Sequence, residues 1–362
     1  MKPLILLVFL LLAPLAAFCQ NAQIDSLKRV IETTQVDTVK ARTLCRLCAV
    51  LAEMGHIDEA KSVADAGMGI SQRSGDLKGQ ALCYNAHGVM AITQSDYHQA
   101  LLLNQKSYDI KLRINDRNGI ASSLLNMGLI HSKTGNLPKS LECYQQSMAI
   151  YRQLGNLEGE VDCLNNISAV YYALGQLEKA LAYQLKNLKL VEGRNPEAEL
   201  NTKSNLALIY SMLGDAETCL KYVDECLIQF RQLGNRSGVA DMLNIKALQM
   251  LKLNKNDYAL DLFRTSLAIS DSTGQIDVQA ATHINIGHVY IQLNQFTQAR
   301  PYVVLGLQLA QSIGHLEWMK NGAKNLCHID SALGNWKGAF EAARLYHIYS
   351  DSLKNDEKSR EL

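Results

Sequence analysis

The 362-residue chain carries 36 Lys and Arg against 35 Asp and Glu, and 48% of its residues are hydrophobic. That content is ample for a buried core. A net charge of +1 without basic blocks excludes a broad nucleic-acid footprint, which needs clustered Lys and Arg.

The first element is a leader. Lys2 precedes the apolar run Pro3 to Phe18, and the small residues Ala17 and Cys19 stand just before Gln20. This layout predicts a secretory signal peptide over residues 1–19, so that the mature chain is exported and periplasmic or otherwise extracytoplasmic. A lipoprotein signal with Cys19 as the lipidated residue is the rival, and Phe18 before that Cys fits it poorly. The run is short for a spanning helix, and no second apolar segment of about 18–20 residues follows. Membrane contact is expected only through a lipidated Cys19 or a segment beyond Leu362.

Residues 20–37 contain Ile24, Leu27, Val30 and Ile31 and read as an N-terminal capping helix. Beyond them the chain repeats. Gly55, Ser95, Gly135, Gly175, Gly214, Asn254, Asn294 and Gly334 are spaced by 40 residues, with one interval of 39. Five residues after each stands Ala60, Ala100, Ser140, Ala180, Cys219, Ala259, Ala299 or Ala339. A second turn falls midway, at Gly75, Asn115, Gly155, Gly193, Gly234, Gly274 and Gly314. Gly and Asn tolerate the left-handed backbone that ends a helix. Asp76, Asp116, Asn156, Asn195 and Asn235 follow as expected N-caps. Between turns, apolar residues recur at helical steps, as Leu174, Leu177, Leu181 and Leu185 do. Residues 351–362 read as a polar C-terminal helix extension.

Small residues recur inside both helices of each unit. The first helix holds Gly88, Gly128, Ser168, Ala207, Ala247 and Gly287, with Tyr171, Tyr210 and Tyr290 three residues on. The second holds Gly67, Ser107, Ser147, Cys226, Ser266 and Gly306, with Asn187 and Tyr346 as departures. In register over residues 38–350, this pattern resembles the tetratricopeptide repeat in its longer form, with eight units. One helix pair cannot bury its own apolar face, and small residues let the next pair approach. The resemblance implies an all-α solenoid of eight helix-turn-helix pairs in a right-handed superhelix, with first helices lining a concave groove.

Two residues before the first-helix small position stand Ala86, Asn126, Asn166, Asn205, Ile245, Asn285 and Asn325; one residue earlier come Asn85, Asn165 and Asn244. Asparagine is a mediocre helix former, so its recurrence asks for a reason. In the tetratricopeptide family, Asn at this site binds the main chain of an extended peptide, because one amide matches a backbone N–H and C=O. The alternative is that these amides bond neighbouring helices together. His288 and His328, with Asp162, Asn201, Asp241, Asn321 and Lys324, flank the ladder and would set ligand preference.

Other chemistry finds little support. Of nine cysteines, Cys48, Cys219, Cys226 and Cys327 occupy small-residue positions and read as buried small hydrophobes. Cys45 and Cys48 have redox-motif spacing but lie inside a predicted helix, and the disulfide state stays open. His283, His288 and His328 have no evident third ligand, so no metal or cofactor is expected. No phosphate-binding Gly loop, nucleophile elbow or zinc-protease motif occurs. The layout is similar to the extracytoplasmic tetratricopeptide region of Bacteroidetes-type sensor and regulator proteins. It implies a non-enzymatic module that binds a protein or peptide, as the input domain of a signal-transduction protein or as a free-standing periplasmic scaffold or assembly adaptor.

Overall fold

Turn chemistry sets the architecture. The computed structural model describes residues 13–361, with side chains at 23–52 and 54–353; most of the predicted leader lies outside the described residues. α1 (Ala13–Thr33) is followed by helix pairs: α2 (Asp37–Glu53) with α3 (Ile57–Arg73), α4 (Leu77–Thr93) with α5 (Tyr97–Arg113), α6 (Arg117–Lys133) with α7 (Leu137–Leu154), and α8 (Leu157–Ala173) with α9 (Leu177–Val191). Then come α10 (Pro196–Leu213) with α11 (Ala216–Gln232), α12 (Arg236–Lys252) with α13 (Asn256–Thr273), α14 (Ile276–Gln292) with α15 (Phe296–Ser312), and α16 (Leu316–Ala332) with α17 (Trp336–Glu361). Every described residue with positive φ is one of the predicted turn residues, including the non-glycines Ser95 (φ 61°), Asn115 (53°), Asn254 (58°) and Asn294 (57°). A left-handed residue reverses the chain after each helix at small cost when it is Gly or Asn; Ser95 is the one position that carries more strain.

Side chains then close the helix starts. Asp116, Asn156, Asn195 and Asn235 accept hydrogen bonds from the backbone N–H three residues on. Asp76 behaves differently. It makes no cap bond and instead accepts from Arg42 Nε at 2.8 Å and Nη2 at 2.6 Å. A guanidinium fork offers two parallel charge-assisted bonds, which outcompete one backbone N–H.

The described chain forms two compact units, Pro14–Val170 and Tyr171–Leu362. The same packing rule governs both. The small residue of a first helix faces a buried side chain 16 positions later in its partner. A Cβ on Gly128 would stand 2.6 Å from the Tyr144 ring, and one on Gly287 would overlap Val303 Cγ2. At the second-helix small position, the hydroxyls of Ser107, Ser147 and Ser266 donate to the carbonyls of Ala81, Ala121 and Ala240, each at 2.7–2.8 Å and 26 residues back. Serine there is small enough for close approach and also satisfies a buried oxygen. In the first unit α1 packs Ile24, Leu27 and Ile31 against Leu47, Leu51 and their neighbours.

Two features fall outside the repeat pattern. Cys45 of α2 and Cys83 of α4 form a disulfide, while Cys48, Cys143, Cys163, Cys219, Cys226 and Cys327 are free thiols. Asn187, one of the departures from the small position, is fully buried and donates to Thr202 Oγ1 at 3.2 Å. No described helix is long and apolar enough to cross a membrane.

Candidate functional site

First helices of neighbouring pairs pack side by side in the second unit, α10 on α12, α12 on α14 and α14 on α16. Equivalent positions therefore line up, and they enclose a cavity of about 450 Å³. That volume lies in the usual range for a small-molecule or peptide side-chain site. The predicted residues Asn205, Asn244, Asn285, His288 and Asn325 all line it, and so do the flanking Asp241, Asn321 and Lys324. His328 does not; it is exposed and meets Phe296 edge-on, with centroids 5.5 Å apart. Asn85, Asn126, Asn165 and Asn166 belong to the first unit.

The amides divide between two uses. Asn126 Nδ2 donates to Asn85 Oδ1 at 2.7 Å, and Asn285 Nδ2 donates to Asn244 Oδ1 at 3.4 Å. Both pairs span 41 residues, so one rung bonds to the amide one residue before the preceding rung. Asn126 also reaches Asn104 Oδ1 at 3.4 Å, a buried amide that stands opposite Gly88. Asn166 donates to the Asp162 carbonyl in its own helix at 2.9 Å. Asn205 is the exception. Its Nδ2 is buried and has no hydrogen-bond partner, at the cavity wall. Leaving a buried donor unpaired costs on the order of 1–3 kcal/mol, so Asn205 holds this place against a stability penalty.

The cavity is graded along its helices. Asp277 and Glu317 lie in the first turns of α14 and α16, and Asp241 lies one turn further into α12. The amides follow, and Leu208, Met212 and Leu248 line the far end. Burial and then the neighbouring Asp277 push the Asp241 carboxyl well above the usual carboxylate range, against a hydrogen bond from Gln275. Glu317 pairs with Lys320 at 3.0 Å. Burial, then Lys324 and His328, lower the pKa of His288 and keep its ring neutral near neutral pH.

Sequence reasoning missed Trp318, whose backbone N–H donates to His315 Nδ1 at 3.3 Å while its ring stacks on His315 at 3.7 Å. The only available signal was that His315 stands where Asn235 and Asn335 cap other helices. Burial lowers the His315 pKa to about 4, against hydrogen bonding to its backbone and the charge of Glu317. With a folded pKa below the unfolded value of 6.5, the fold binds fewer protons than the unfolded chain between pH 4 and 6.5. Stability is therefore full above pH 6.5 and falls as pH drops towards 4, by up to about 3 kcal/mol. Urea titrations at pH 7 and pH 4.5 should show this loss, and His315→Asn, which keeps a cap, should shrink it.

Models of the tetratricopeptide repeat match residues 119–192 and 280–312. Those two stretches are tetratricopeptide repeats, set in a chain that is a helical repeat solenoid over its described residues. No curated protein is similar to it in sequence. Among solved structures, the apo quorum sensor NprR from B. thuringiensis is similar with TM-score 0.68 and 16% identity, over 94% of this chain and 95% of that one. A Rap protein complexed with competence and sporulation factor gives TM-score 0.64 and 14% identity, over 96% of each chain. Aspartyl phosphate phosphatase F from Bacillus subtilis gives 0.65 and 13%, over 93% of this chain and 89% of the phosphatase. At such identities the likeness is one of fold.

Proposed function

We propose that this chain is a non-enzymatic module that binds a protein or peptide segment in the cavity of its second unit. The observation that carries the reading is Asn205. Asn205 lines the cavity beside the amides of Asn244, Asn285, Asn321 and Asn325, and its Nδ2, covered in the unliganded fold, has no hydrogen-bond partner there. An extended peptide offers the carbonyls and N–H groups that such amides match. The Rap structures solved with competence and sporulation factor and with the Phr* peptide support the same use of a similar fold. The module works outside the cytoplasm, as the input domain of a signalling protein. The Cys45–Cys83 disulfide supports that placement, because such bonds persist in oxidising compartments.

Asn205→Ala is the direct test. It removes a donor that has no partner in the fold, so the melting temperature should hold or rise. Affinity for a peptide captured by the wild-type chain should fall about tenfold, the usual consequence of one lost hydrogen bond at roughly 1.4 kcal/mol. Isothermal titration with unchanged affinity would remove Asn205 from the site.

A further inference from the structure

The acidic end of the cavity says more about the ligand. Asp277 and Glu317 sit in first helical turns, where the helix dipole favours a carboxylate, and Glu317 also has Lys320. The fold thus accounts for both. Asp241 has neither excuse. It is the sixth residue of α12, only 7% exposed, and it shares the cavity wall with Asp277. A buried carboxyl without a cation beside it destabilises the fold. Gln275 donates one hydrogen bond to it, and the groups acting on it include no cation, so the fold favours its protonated form. The cationic group of the cavity wall, Lys324, comes from a later turn of α16, beside the amides and the neutral ring of His288.

We infer that Asp241 and Asp277 together receive a basic group of the bound peptide, a Lys or Arg side chain, while Asn205 and Asn285 hold its main chain. A guanidinium or ammonium between the two carboxyls favours the ionised form of Asp241, whose proton passes to solvent, and donates a hydrogen bond to each. The apolar end fixes the second determinant. Leu248 lies seven residues beyond Asp241 on α12, which is about 10 Å of helix and about three residues of extended peptide. The ligand is therefore a peptide with a basic residue and a large apolar residue about three positions apart. This rests on the groove reading above.

The test is selection of random linear heptapeptides displayed on phage against the full chain, repeated against Asp241→Asn and Asp277→Asn. Both substitutions keep the size and shape of the side chain, and far-ultraviolet circular dichroism with thermal melting checks their folding. Enriched peptides should carry Lys or Arg three positions from a Leu, Met, Ile or Phe. A synthetic copy should bind each Asn variant at least tenfold more weakly than wild type, with the loss reduced when its basic residue is replaced by Gln. Enrichment of neutral or acidic peptides, or affinity unaffected by both substitutions, would overturn this inference and leave the groove reading standing. Failure to enrich any peptide whose binding depends on Asn205 would overturn the groove reading, and this inference with it.

Discussion

Reduction of the Cys45–Cys83 disulfide is expected to lower the unfolding free energy by about 4 kcal/mol, as loop-closure entropy gives for a link of this span. The two cysteines are 38 residues apart and join α2 to α4, so the bond closes one whole repeat. Both are buried, at 2% and 0% exposure, and lie in the core of the first unit. The reduced, unfolded chain regains the freedom of that loop, while the folded chain keeps its packing. Urea unfolding with and without a phosphine reductant measures the difference. The double variant Cys45→Ala/Cys83→Ala should match the reduced protein. Identical midpoints in oxidised and reduced samples would show that the link contributes nothing, and would remove a support for the extracytoplasmic reading.

Arg300→Ala should destabilise the second unit by about 2–3 kcal/mol, the cost of stranding a buried carboxylate that water can reach only from the half-exposed Arg300 side. Asp330 is 1% exposed and accepts from Arg300 Nε at 2.7 Å and from Nη2 at 3.3 Å. The pair ties α15 to α16, whose N-terminal half forms part of the cavity wall. Room around the carboxylate is short, since a Cβ on Gly338 would stand 2.5 Å from Asp330 Oδ2. Asp330→Asn leaves a neutral amide and a half-exposed Arg, so it should cost less. The double variant should be more stable than the sum of the two losses, and a thermodynamic cycle in urea measures that coupling. Additive losses would mean that the pair is not coupled.

How far the sequence could be read depends on the range of each cause. Gly175, Asn254 and the other turn residues were legible because a left-handed φ is a steric matter within one residue. The caps at Asp116 and Asn235 were legible for a similar reason, since a cap reaches only three residues. Asp76 has the same local signal, yet Arg42 takes its carboxylate from 34 residues away. The close Cys45–Cys48 spacing invited attention, while the bond goes to Cys83 in the neighbouring pair. Both differences come from side chains on adjacent helices, whose approach no window of one helix contains.

The candidate site divides in the same way. The chain alone decides which residues share a register, because a 40-residue period places Asn205, Asn285 and Asn325 at equivalent helical positions. It also decides the helix pairs and the small residues at which they touch. Folding decides how much space remains between them and which polar atoms are satisfied there. Asn126 and Asn205 are equivalent in the repeat. One donates to Asn85, while the other is left at a cavity wall with a buried, unpartnered nitrogen. The physical reason is that a hydrogen bond and a cavity depend on the volumes of side chains from three or four helices at once. Register is set along one chain; depth and satisfaction are set across several.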